Sequence, residues 1–225
     1  MNTFVKGLCD IRNWNCETML SRDEKKALTR KSLIDAALSI VGGGSNFASI
    51  SLREVAKNAG LVPTSFYRHF TDMEELGLNV VDDLGLILRK MMRTARQSDG
   101  YQQGSLRSSV EVYVNFVSEH QSHFYFMSQC RTGGTPVLRQ AIRNELKYFE
   151  TELSSDIRTV PILKEMTSQD RDMMSQLIVS TVFDATIDIL DLSDSGSNFE
   201  QEFIEIMVKK LRMIWLGAEK WRSTI

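Results

Sequence analysis

An all-α fold is expected from three features of the sequence. Apolar residues recur at intervals of three and four along most of its length, which gathers them on one face of a helix. Only three Pro and thirteen Gly occur among 225 residues, so few positions forbid long helices. Ser51 with Glu54, and Thr71 with Glu74, have the spacing of capping boxes that open helices. The chain divides into an irregular N-terminal extension (1–22), a small three-helix unit (23–71) and a larger helical body (72–225).

No apolar run approaches the roughly 20 residues that span a bilayer, so no membrane association is expected. The opening MNTFVKGLCDIRNWNC has no continuous apolar stretch and no small-residue cleavage site, which argues against secretion. Cys9, Cys16 and Cys130 are an odd number without metal-ligand spacing, and reduced thiols in a cytoplasm are the simplest account. The net charge of −2 is unevenly spread. Residues 1–70 hold ten Lys/Arg against six Asp/Glu, whereas residues 71–225 hold seventeen against twenty-three. A basic front end on an acidic body suits a protein that meets phosphate with one end only.

Residues 1–21 show no helical period, and two accounts fit them: an irregular extension, or translation that starts at Met19. From Asp23 to Val41, the residues Ala27/Leu28, Leu33/Ile34, Ala37/Leu38 and Val41 form the stripe of an amphipathic helix of about five turns. Gly42-Gly43-Gly44 ends it. No strand precedes this run and no Lys-Ser/Thr pair accompanies it, so it reads as a turn rather than a P-loop. Phe47 and Ile50 then pack back towards the helix.

Between Ser51 and Phe70 the pattern is a corner. Leu52, Val55, Ala56 and Ala59 share one face of a short helix, and Gly60 stops it by taking the left-handed conformation without a Cβ penalty. Pro63 starts the next helix where its missing N–H costs nothing. Phe66 and Phe70 turn inward, which leaves Thr64, Ser65, Tyr67, Arg68 and His69 outward. Two hydroxyls, a phenol, a guanidinium and an imidazole are the donors that touch phosphates and base edges. Helix, short Gly-containing turn, helix is the helix-turn-helix layout; a corner that serves only a core is the rival account.

The stretch LREVAKNAGLVPTSFYRHF resembles the DNA-binding signature of the TetR family of transcriptional repressors. SFYRHF-x-D-x-x-EL is similar to the FabR branch of that family, which represses unsaturated fatty acid biosynthesis genes. The likeness continues through NFASISLREVA, EELGLNVVDDLGLILRKMMRTARQ and KKLRMIWLGA, and covers most of the chain from about Lys25. It implies a TetR-like fold of about nine helices in which 23–71 is the DNA-binding domain and 72–225 the ligand-binding and dimerisation domain. It implies DNA contacts from Lys31, Ser51, Thr64, Ser65, Tyr67, Arg68 and His69. It implies backbone contact from Lys25, Lys26 and Arg30 as well as from Lys31, and a solvated basic face accounts equally well for any single one of the four. Many relatives carry a phosphate-touching Lys near the start of the fourth helix; here Met73 stands there beside Glu74 and Glu75, which removes one backbone contact. The resemblance further implies a homodimer joined through the last two helices, a palindromic double-stranded operator, and a small hydrophobic effector such as a long-chain acyl-CoA or acyl-acyl carrier protein. No cofactor or metal is implied, and the location is cytoplasmic.

After Thr71 a long helix carries Met73, Leu76, Leu78, Val80/Val81, Leu84, Ile87/Leu88, Met91/Met92 and Ala95, apolar on more than one side as for a helix buried between two bodies. Ser98-Asp99-Gly100 and Gly104 mark a break. Leu106, Val110, Val112/Tyr113 and Phe116/Val117 form the next stripe, over Ser105–Glu119. His120 and His123 are an H-x-x-H pair with Cys130 nearby, but no Asp or Glu completes a catalytic pattern, and polar residues at a helix junction are the plainer account. Pro136 opens a helix striped by Val137/Leu138, Ala141/Ile142, Leu146, Phe149, Leu153 and Ile157, which stops before Pro161. Met173/Met174, Leu177/Ile178, Val182, Ala185 and Ile189 line one late helix; Phe203, Ile206/Met207, Leu211, Ile214, Ala218 and Trp221 line the other, with Ser193–Ser197 between them. Both are more apolar than one core-facing stripe requires, which a two-fold copy would satisfy.

Eleven Met and eleven Phe suffice to line an adaptable cavity. The candidates are Met91, Met92, Phe116, Phe124, Phe126, Met127, Phe149, Met173 and Phe183, each of which plain core packing also explains. A ligand-responsive repressor of unsaturated fatty acid genes is therefore expected. The rivals are a TetR-type regulator of another amphipathic ligand, such as one controlling drug efflux, and a helical lipid-binding protein that has lost DNA binding. An enzyme is not expected: G-x-S-x-G and H-E-x-x-H are absent, and no Gly-rich loop follows a strand.

Overall fold

Ser21 opens the first helix with a capping box that lies just ahead of the expected start. Its Oγ accepts from the Glu24 N–H at 3.2 Å, while the Glu24 carboxylate accepts from the Ser21 N–H at 2.6 Å. The computed structural model describes residues 21–99, 103–192 and 197–222. The expectations for residues 1–20, with Cys9, Cys16 and the Met19 start, and for the link at 193–196 fall outside the described residues. Within them lie α1 (Arg22–Gly42), α2 (Leu52–Asn58), α3 (Pro63–Phe66), α4 (Met73–Asp99), α5 (Gln103–Glu119), α6 (Gln121–Gly133), α7 (Pro136–Ile157), α8 (Ser168–Asp184), α9 (Thr186–Leu192) and α10 (Ser197–Lys220). Short 3₁₀ turns occur at Phe47–Ser49 and Pro161–Leu163. The described residues contain no strand, so the expected all-α architecture is the one observed.

Three elements differ from the sequence expectation. The helix expected from Met173 through Ile189 is broken at Ala185 into α8 and α9, and the ten α-helices become nine when this stretch is counted once. At the break the Thr186 hydroxyl is buried and meets the Tyr113 hydroxyl at 2.6 Å. α6 shows no single apolar stripe in sequence. It is flanked by α1, α7 and α9 and buries Phe124, Phe126, Met127 and Cys130. The start of α4 is shifted: the capping residue is Asp72, whose carboxylate accepts from the Glu75 N–H at 2.8 Å. Glu75 in turn accepts from the Thr71 N–H and hydroxyl, because α4 begins at Met73 and the third helical position is therefore Glu75. Glu74, the expected capping partner of Thr71, instead accepts from the Thr135 hydroxyl at the start of α7.

One continuous apolar core runs from Leu33 in α1 to Leu211 in α10. Val55, Phe66 and Phe70 of the corner belong to it, and the turn before the corner is tied to α6 through the Phe47–Phe126 edge contact, with ring centroids 4.7 Å apart, and through Gln129. That side chain accepts from the Phe47 N–H at 3.0 Å and donates to the Ser45 carbonyl at 3.3 Å. A smaller cluster of Ile157, Val160, Leu163 and Met174 closes the far end against Leu153, Trp215 and Ala218. By length and composition, Ser168–Asp191 is apolar enough to cross a membrane, a stretch missed by looking for an unbroken apolar run. Its apolar residues are divided between the core (Met174, Phe183, Ile189) and an exposed face (Met173, Leu177, Ile187). α10 also exposes apolar residues, Ile206, Leu216 and Met213, the last 73 % exposed. α4 is likewise not apolar inward only: Leu86 and Ile87 face outward.

Candidate nucleic-acid interface and body cavity

The corner is held by local hydrogen bonds. Ser51 and Glu54 form the expected capping box at the start of α2. Ala59 ends that helix and Gly60 follows at φ +69°, where a side chain would be strained. The Leu61 N–H then returns to the Ala56 carbonyl at 2.8 Å. Pro63 occupies the first turn of α3. The recognition segment is shorter as an α-helix than expected, because α3 ends at Phe66 and the chain continues as tight turns through His69. The Arg68 and His69 N–H groups bond three residues back, to Ser65 and Phe66, and the Phe70 N–H bonds four back to Phe66. Phe66 and Phe70 are fully buried with centroids 5.6 Å apart, and they anchor the segment.

Of the seven residues expected to touch DNA, Lys31, Ser51, Thr64, Tyr67 and Arg68 are exposed. Tyr67 is 60 % exposed and braced edge-on by Phe66. Ser65 and His69 are half-buried. His69 Nδ1 is buried with no hydrogen-bond partner among the described residues. Burial, followed by the nearby charges of Lys26, Arg30 and Arg68, holds the His69 pKa below the ordinary histidine value. Arg30 is committed inward: its guanidinium donates to Asn79 of α4 and lies 4.8 Å over the Phe70 ring. Arg53 and Lys57 were not singled out from sequence, yet both are exposed on α2, the helix that crosses the backbone in this motif. Met73 is half-buried against the core, so it offers no charge to phosphate.

From the corner, α4 runs into the body beside α7. Glu74 pairs with Thr135, Arg89 with Glu145, and Arg93 with Glu152. Gly85 is required for the middle clasp, since a Cβ there would collide with the Glu145 carboxylate. Burial pushes the Glu145 pKa up in spite of the Arg89 guanidinium beside it.

The body contains a largely apolar cavity of about 460 Å³ between α4, α5, α7, α8 and α10, a volume within the range of small-molecule sites. Met92, Phe149 and Phe183 of the sequence candidates line it. Phe116, Phe124, Phe126 and Met127 are packed in the main core, Met91 is half-buried against it, and Met173 is exposed on α8. Most of the wall is aliphatic, including Leu88, Leu146, Val182 and Leu153, with Trp215. No sequence signal separates such positions from ordinary core. Arg212 and Glu219, both on α10, are its charged lining residues. His120 and His123 lie with ring centroids 5.7 Å apart, and no group of three potential metal ligands occurs among the described residues. Burial raises the Cys130 thiol pKa to about 12, far from the thiolate that metal or redox chemistry needs.

Known proteins share both parts. The sequence model for bacterial regulatory proteins of the tetR family matches residues 33–80, and that for the tetracyclin repressor-like C-terminal domain matches residues 102–216. Among solved structures, a transcriptional regulator from Rhodococcus sp. Rha1 superposes with a TM-score of 0.67 at 19% identity, over 86% of this chain and 99% of its own. The fatty acid degradation regulator FadR of Bacillus halodurans gives 0.64 at 13% identity, over 82% and 93%. FadR of Bacillus subtilis, solved in complex with stearoyl-CoA, gives 0.57 at 16% identity, over 80% and 98%. At such identities the structural likeness carries the fold, and the sequence matches carry the family. With matches to both the corner and the body, the chain belongs to the TetR family and is a helix-turn-helix, DNA-binding transcriptional regulator.

Proposed function

We infer that this regulator is a homodimeric repressor of unsaturated fatty acid biosynthesis genes that senses long-chain acyl thioesters, on coenzyme A or acyl carrier protein. The observation that carries the reading is the apolar cavity, whose walls include Leu88 and Met92 of α4, the helix that leads directly from the corner. A ligand there bears on the element that sets the spacing of two corners in a dimer. Each buried methylene contributes about 0.8 kcal/mol, so a long chain binds firmly with few polar contacts. The sequence resemblance to the FabR branch and the two FadR-like folds support the lipid class.

The exposed apolar residues of α8 and α10 are the surface through which two copies pair. The pair presents Thr64, Ser65, Tyr67, Arg68 and His69 to successive major grooves about one DNA turn apart, with Lys31 and Ser51 on flanking phosphates. The operator is accordingly palindromic and the site of action cytoplasmic. Coupling between cavity and corner of about 1–3 kcal/mol gives a 5–150-fold change in operator affinity. Unsaturated thioesters strengthen operator binding and saturated ones oppose it.

Gel shifts on DNA upstream of the host's unsaturated fatty acid genes, with oleoyl-CoA and palmitoyl-CoA compared, test this directly. Opposite responses are expected. Identical responses would defeat the fatty-acid assignment and turn attention to other amphipathic ligands, such as substrates of drug efflux, with the regulator itself intact. Sedimentation at micromolar concentration tests the dimer, and a monomer would contradict it.

A further inference from the structure

Ser21, Ser51, Thr135 and Thr167 each accept from a backbone N–H in the first turn of the helix they open, α1, α2, α7 and α8. α3 opens instead on Val62, which makes no side-chain cap. Its backbone (φ −77°, ψ 147°) has the extended form in which a hydroxyl residue would cap. Valine is among the poorest residues for that place. Local bonds hold it there all the same. The Leu61 N–H before it returns to the Ala56 carbonyl, and the Val62 carbonyl accepts from the Ser65 N–H at 2.9 Å. Leu61 packs against the core, and the Pro63 ring fixes φ on the other side. A β-branched side chain is stiff at χ1, so the isopropyl group has little freedom to lose on contact.

Val62 also faces outward. Between Leu52 and Phe70, the apolar residues Leu52, Val55, Leu61, Phe66 and Phe70 are buried or half-buried, whereas Val62 is 62 % exposed. Pro63 beside it is exposed as well. Neither side chain carries a hydrogen-bonding group, so this leading edge cannot bond a phosphate or a polar base edge as Thr64, Tyr67 and Arg68 can. The first residues of a recognition helix meet base edges in the major groove. The apolar group that those edges present is the C5-methyl of thymine.

We propose that Val62 is a specificity-determining residue whose isopropyl group contacts the C5-methyl of one thymine in each operator half-site. It adds an apolar reading to the hydrogen bonds of Thr64, Tyr67 and Arg68. The assignment rests on the face from Thr64 to His69 reading DNA, and it is independent of the effector.

The test uses the full chain on an operator found by chromosome-wide mapping. Deoxyuridine replaces thymine at one position at a time, in both half-sites together, which removes the methyl group and leaves every hydrogen-bonding atom. At one such position wild type is expected to lose about fourfold per methyl, hence about fifteenfold for the symmetric pair. Val62→Ser is expected to bind the thymine and deoxyuridine operators equally at that position and to respond as wild type at the others. Its melting temperature should hold or rise, since Thr135 caps α7 just ahead of Pro136, so weaker binding is not loss of fold. A Val62→Ser response equal to that of wild type at every position, or no wild-type response at any, would overturn the inference. Tyr67→Ala and Arg68→Ala run alongside. Unchanged operator affinity in both would remove the DNA-facing reading itself, and this inference with it; lost affinity there confines any failure to Val62.

Discussion

The helix-turn-helix corner and the body cavity are built by opposite means. In the corner, each turn is set by partners within five residues: the Ser51–Glu54 box, Gly60 in the left-handed region, Pro63 in the first turn of α3, and the backbone bonds from Ser65 to Phe70. Its outward side chains contribute little packing, since Phe66 and Phe70 do the anchoring. The cavity has no local cause. It exists because residues from five helices, up to 131 positions apart between Leu88 and Glu219, meet around a volume that none of them fills. The outward side chains of α3 and the turns after it are therefore removable at little cost in stability, whereas residues lining the cavity also pack against the core.

The largest effect that sharpens this contrast is Phe66→Ala. It removes the fully buried anchor of the corner, and calorimetry or denaturant titration should show a loss of about 3–5 kcal/mol. Leu146→Ala, in a wall that already faces a void, should cost less, about 2 kcal/mol at the low end of such changes; an equal loss would undo the distinction between filled core and cavity wall. Next is Glu145→Ala, which strands Arg89 beside a 7 % exposed position. Removing one partner of a buried pair costs about 3 kcal/mol, and adding Arg89→Met should recover much of it. A double variant no more stable than the single one would argue against the pair as the cause.

Smaller in stability but decisive for function are Tyr67→Ala and Arg68→Ala. Each should weaken operator binding about tenfold or more, in line with about 1–3 kcal/mol per base contact, while melting stays within error of wild type. Ser51→Ala should cost about 1 kcal/mol through loss of the cap. The smallest effect concerns pH. The His69 pKa is depressed in the fold, so the unfolded chain takes up a proton that the folded chain refuses. Stability from this group is present above the ordinary histidine pKa of 6.5 and is lost as pH falls below it. His69→Gln should flatten that part of the stability–pH curve, and an unchanged slope would exclude His69 as its source.

The same contrast explains what the sequence disclosed. Helix spacing, the Ser51 box, Gly60 and Pro63 are local signals, and they placed α2 and the start of α3 within a residue or two of their observed positions. The shortening of α3 was not legible, because the tightening at Arg68 and His69 depends on Phe66 and Phe70 being drawn into the core. The shift from Glu74 to Glu75 at the start of α4 follows from one residue of helix phase and from Thr135, which lies 61 positions from Glu74. Aromatic and Met content suggested cavity residues, yet Phe116, Phe124 and Met127 are interior packing and aliphatic side chains form most of the wall. A Leu beside a void and a Leu beside another Leu look alike until the chain is folded. Arg30 shows the reverse case: its place in a basic stretch suggests phosphate, but Asn79 and Phe70 hold it inward.

The central claim is that the exposed face from Thr64 to His69 reads duplex DNA. Chromosome-wide mapping of the wild-type chain, beside the double variant carrying Tyr67→Ala and Arg68→Ala in its own host, tests it most directly. Discrete sites with two-fold symmetric half-sites about one helical turn apart, occupied by the wild type and vacated by a variant that still folds, are the predicted result. Sites occupied equally by both would contradict it.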